Sequence, residues 1–65
     1  MDEIDIWDAA ETMIRQHGVH AIAEACKHEL RFLRRGDNEA ATIWRRVILA
    51  IDRATNEMRQ CRRVN

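Results

Sequence analysis

The chain has 65 residues, and its 11 basic and 11 acidic side chains cancel, so no global field draws it to nucleic acid or to anionic lipid. One domain over residues 1–65 is expected, of a size that buries only about 60% of its unfolded surface and gains from a staple or a partner. Two cysteines without a signal-peptide pattern read as free thiols in a reducing compartment, and the longest apolar run, Val47 to Ile51, is too short to cross a bilayer, so a soluble cytoplasmic protein is expected.

With no proline and two glycines, both where helices would stop, the pattern predicts an all-α protein, a three-helix up-down-up hairpin or bundle with a long C-terminal helix. The first helix is predicted over residues 3–17. Its start is acidic, which suits the positive end of a helix dipole. Ile6, Trp7, Ala10, Met13, Ile14 and His17 recur on one side, and Gly18 can take the left-handed conformation that ends the helix. Asp5, Asp8 and Glu11 lie opposite, as a solvated face.

The second helix is predicted over residues 20–35. At about 100° per residue, Val19, Ile22, Ala23, Cys26, Leu30 and Leu33 share one sector, which is expected to face the core, while Phe32 falls outside it. Lys27, Arg31, Arg34 and Arg35 crowd its end, where cations suit the dipole. Gly36 is its stop and Asp37 the N-cap of the next helix, so the link is short enough to force an antiparallel hairpin.

The third helix is predicted over residues 38–62. Ala40, Trp44, Val47, Ile51, Ala54, Met58 and Cys61 recur at spacings of four and three, a heptad seam. Counting back from each link puts Trp7, Leu30 and Trp44 in one layer, then Ala10, Cys26 and Val47, then Ile14, Ile22 and Ile51. Both tryptophans are expected inside, which leaves no room for a ligand cavity. In that register Cys26 and Cys61 are too far apart to bridge.

Ten arginines against one lysine suggest a GC-rich bacterial genome. The pattern Trp7-x-x-Ala10, His17-Gly18, Ala21, Gly36-Asp37 and Trp44 with Val47 and Ile48 resembles a family of small alphaproteobacterial proteins known only as a domain of unknown function. The resemblance covers most of the chain and implies no activity, cofactor or site residue.

Candidate chemistry is sparse. His17, His20, Cys26 and His28 are the one cluster of metal-ligand type. Their offsets do not bring them to one helix face, so neither a metal site nor a Cys-His nucleophile is expected, and no cofactor is. Arg31, Arg34, Arg35, Arg45 and Arg46 gather at the second turn, where the acidic start of the first helix is expected to offset them. A helix of about 25 residues with an apolar stripe is a poor groove reader, so nucleic acid is disfavoured as a partner, with Arg59, Arg62 and Arg63 the residues that would touch phosphate.

The expected function is that of a non-enzymatic protein-interaction module, a regulator or assembly subunit that docks on a larger protein through Asp2, Glu3, Asp5, Asp8 and Glu11. Homodimerisation is expected through Ile51, Ala54, Met58 and Cys61, because the last turns of the third helix outrun the other two. The alternative is a nucleic-acid-associated regulator that uses the arginine-rich C-terminus.

Overall fold

The computed structural model describes the backbone of residues 3–63 and the side chains of residues 5–57. The chain is all-α. Helix α1 spans Glu3–His17, a 3-10 turn spans Gly18–His20, α2 spans Ala21–Arg34 and α3 spans Asn38–Arg63. The boundaries fall within one residue of those predicted, because glycine and a capping aspartate mark them. Gly18 and Gly36 have φ of +56° and +78°, a region that costs an L-residue about 1–2 kcal/mol.

At Gly36 two stop signals interlock with one start signal. The Asp37 N–H donates to the Phe32 carbonyl at 2.9 Å and the Gly36 N–H to the Leu33 carbonyl at 3.0 Å, which is a Schellman closure of α2. The same Asp37 begins α3, since its Oδ1 accepts from the Ala40 N–H at 3.2 Å and its carbonyl from the Ala41 N–H at 3.1 Å. One residue thus ends one helix and caps the next, and α3 must turn back along α2.

The core comprises Ile6, Ala10 and Met13 of α1, Ala21 and Ala25 of α2, and Val47, Ala50 and Ile51 of α3. Ala9, Ile14, Ile22, Trp44 and Ile48 pack around it. Two contacts fix the register of α2 on α3. The His28 ring stacks on Trp44 with centroids 4.4 Å apart, and the next residue along each helix makes an ion pair, Arg45 Nε to Glu29 Oε2 at 3.1 Å. Thr55, on the half-buried side of α3, returns its hydroxyl to the Ile51 carbonyl at 2.8 Å, which satisfies it within the helix.

Helix α2 is rotated from the predicted orientation. Its buried residues are Ala21 and Ala25, and Phe32 is half-buried, whereas Val19 is 95% exposed, Leu30 53% and Leu33 41%, and Ala23 is exposed too. The physical reason is the position of α1. Ile6 and Trp7 lie beside the stretch Arg46 to Arg53 of α3, and Ile14 lies beside Ala54. This is on the order of 13 Å or more along α3 from Asp37. The last turns of α2 therefore have one neighbour instead of two, and small alanines let α2 and α3 approach closely.

The predicted layers change accordingly. Trp7 lies beside Arg46 to Arg53 and not level with Trp44, and it is 39% exposed instead of inside the core. Leu30 keeps the level of Trp44, since His28 and Glu29 before it contact Trp44 and Arg45, but it turns outward. The Ala10 and Val47 assignments hold as core positions, as does Ile51. Cys26 is a half-buried free thiol, and Cys61 lies outside the described side chains.

Two sets of measurements check this packing. In chemical denaturation Ala25→Leu should destabilise by about 1–3 kcal/mol through overpacking, and Ile51→Ala by about 2–5 kcal/mol, while Leu30→Ala should stay within about 0.5 kcal/mol. A large cost at Leu30 would restore the sector predicted from periodicity. At the turn, Asp37→Ala should cost about 1 kcal/mol through the lost cap. Gly36→Ala should cost about 1–2 kcal/mol from backbone strain alone, since a Cβ there meets nothing within 4 Å.

Candidate functional surfaces

Two surfaces combine apolar side chains with charge. The first is the outer face of α2. Ala23, Leu30 and Leu33 form a strip at helical spacing, extended at its start by Val19, and Lys27, Arg31 and Arg34 run alongside it. Lys27, Leu30, Arg31, Arg34 and Arg35 line one shallow depression, to which α1 contributes none of its described side chains. Asp5 and Asp8 make no ion pair with these arginines, and Asp2 and the side chain of Glu3, which were expected to offset them as well, lie outside the described residues. Among the described side chains no ion pair reaches Arg31, Arg34 or Arg35.

Lys27 is the exception on that strip. Its Nζ donates to Glu24 Oε1 at 3.1 Å, and this hydrogen bond, with the charge of the ammonium, holds the Glu24 carboxyl below the usual carboxylate range.

The second surface is the groove between α1 and α3, lined by Ile6, Trp7, Arg46, Leu49, Ala50, Asp52 and Arg53, with a volume of about 680 Å³. Its apolar floor includes Trp7 and Leu49, the latter 61% exposed. The bundle was expected to leave no such space. It exists because Trp7 projects to the edge of α1 and does not fill the centre.

The sequence-predicted residues fall as follows. Asp5, Asp8 and Glu11 are exposed on α1, and Glu11 accepts from Arg15 at 3.2 Å. Asp2 lies outside the described residues, and the side chain of Glu3 is also outside them. Of the oligomerisation set, Ile51 is buried inside the monomer, so it is core and not free surface, and Ala54 is half-buried beside Trp7. The side chains of Met58, Cys61, Arg59, Arg62 and Arg63 are outside the described ones. Among the described residues no three His, Cys, Asp or Glu side chains come together, and His28 is engaged with Trp44. No helix among them is long and apolar enough to cross a membrane.

The α2 strip was visible in the sequence as a set of residues and assigned to the wrong side. The Trp7–Leu49 groove was missed. Its one signal was Leu49, an apolar residue outside the heptad seam and flanked by Arg46 and Arg53.

No protein family, curated protein or solved structure matches this chain. The resemblance noted above rests on its motif residues alone.

A pH titration tests the Glu24 contact. A lowered carboxylate value adds stability above the unfolded value, and that stability is lost as pH falls through the folded value. Lys27→Met should raise the Glu24 midpoint seen by carboxyl chemical shift. The small stability difference between the two proteins should be present at neutral pH and vanish in acid. An unchanged midpoint would show that the pair does not form in solution.

Proposed function

We propose that the chain is a non-enzymatic protein-interaction module, an up-down-up bundle of three helices that docks on a larger protein through the outer face of α2. The observation that carries this reading is the apolar strip of Leu30 and Leu33, more than two-fifths exposed, beside cations that have few partners of their own. Covering two such leucines gains roughly 1–2 kcal/mol each.

The partner that complements the strip is an acidic amphipathic helix. Its apolar edge would lie on Ala23, Leu30 and Leu33, and its carboxylates would meet Arg31 and Arg34 in charge-assisted hydrogen bonds. The acidic face of α1 suits a different task. Asp5, Asp8 and Glu11 offer charge without much apolar surface, so they orient an encounter and add little burial.

The test compares three forms of the chain as bait in an extract of its native host. The unaltered protein should retain a partner whose cross-linked segment is acidic and helical. Leu30→Glu with Leu33→Glu should lose it without loss of helicity, and neutralising Asp5, Asp8 and Glu11 should keep it, since those acids only repel an acidic segment and bury little. A partner lost only with the α1 acids would move docking to that face. Salt-dependent retention of DNA without any protein partner would favour the nucleic-acid alternative instead.

A further inference from the structure

Four cations crowd the last turns of α2. Lys27, Arg31, Arg34 and Arg35 share one face, and with Leu30 they line a depression of about 480 Å³ in which, among the described residues, no acid takes part. Like charges three and four residues apart on a helix repel. The acids nearest in sequence leave the arginines unneutralised, because Glu24 pairs with Lys27, Glu29 pairs with Arg45, and Asp37 caps α3 by accepting from the Ala40 N–H. Among the described side chains Arg31, Arg34 and Arg35 make no ion pair.

Closing a helix does not call for this much charge. The C-terminal end of a helix dipole is equivalent to about half a negative charge, and three guanidiniums exceed that about sixfold. The Phe32 and Leu33 carbonyls at that end are also taken already, by the Asp37 and Gly36 N–H groups.

We propose that this depression binds a linear oligophosphate, a chain of two or three phosphoryl groups, and that such an anion competes there with the acidic helix. Charge and donor geometry select the ligand. A guanidinium is a planar fork that matches the oxygens of a phosphate two at a time, and three forks on one face can hold several such groups. One phosphoryl group carries only about 1.5 to 2 negative charges and satisfies part of the cluster, whereas two or three in a row match Arg31, Arg34 and Arg35 together. The cluster is also extended. From Arg31 to Arg35 it runs about 6 Å along the helix axis, so a chain of phosphoryl groups reaches all three arginines where a single ion reaches one end. Competition with the acidic helix rests on the docking reading above; binding of the anion does not.

Calorimetric titration of the full chain with inorganic triphosphate, at physiological ionic strength to screen loose surface attraction, reads the site directly. One triphosphate should saturate each chain, and inorganic phosphate should bind about tenfold more weakly or worse. Adenosine triphosphate that binds no tighter leaves the free chain of phosphoryl groups as the ligand, and tighter binding assigns it to a nucleotide. Arg31→Gln with Arg34→Gln should weaken triphosphate about tenfold or more, with helicity unchanged because both side chains are exposed, while Arg46→Gln on another face should change nothing. On the unaltered chain, amide chemical shifts should move from Lys27 to Arg35 and stay still from Arg46 to Arg53. Titration without saturation, equal binding of phosphate and triphosphate, or an equal loss with Arg46→Gln would each overturn the site and leave diffuse attraction only. Triphosphate should also release any acidic segment the chain captures, and a segment that stays bound removes the competition. A chain that binds triphosphate and captures no such segment upholds the anion site against the docking reading; capture without triphosphate binding does the reverse.

Discussion

The close contact of α2 with α3 is what the rest of the molecule depends on. Gly36 and Asp37 turn the chain back on itself, so the two helices must lie along each other, and alanine at positions 21 and 25 lets their axes approach. The stacked His28 and Trp44 rings and the Glu29–Arg45 pair then hold one register and one rotation. Polar groups serve well here because they are directional. A leucine face could slide or roll by a residue at small cost, whereas a ring stack and an ion pair on adjacent residues cannot both survive such a shift.

Unequal helix length turns that rotation into surface. Helix α3 has 26 residues against 14 in α2 and 15 in α1, and the molecule extends 47 Å along its longest axis. Helix α2 occupies the first part of α3, and α1 lies further along. Neither stretch of α3 has both helices over its whole length, so the triple contact is confined to the middle, where Ala10, Ala25 and Val47 are buried. Toward the Asp37 end of that middle Leu30 and Leu33 stay open, and at its own level Trp7 and Leu49 stay open on the outer side of the α1–α3 pair.

A small domain has reason to carry such surfaces. Its internal core is limited by its size, and added burial in a complex stabilises it where further internal packing cannot. Both surfaces have the same composition, an apolar strip beside charge. Apolar area supplies the driving force without regard to direction, and the charges select among the orientations that the area would permit. The two faces differ in charge. Cations flank the α2 strip and call for an acidic complement, whereas the α1–α3 groove takes both signs from α3 alone, Arg46 and Arg53 beside Asp52.

Helix boundaries, the turn at Gly36, the cap at Asp37 and the α3 seam were legible in the sequence because each depends on residues close together in the chain. A left-handed glycine, a capping carboxylate and a spacing of three and four act locally, and tertiary contacts had little to change. The acidic face of α1 was legible for the same reason. The rotation of α2 was not. Periodicity states which residues share a face and leaves open which face turns inward, and ranking by hydrophobicity chose Leu30 and Leu33 over Ala25. Only the tertiary structure decided it, because burial depends on which neighbour is present at each level. With α1 displaced toward the C-terminal half of α3, no second helix reaches Leu30 and Leu33, and Trp7 is carried to the edge of a groove that the local pattern could not disclose.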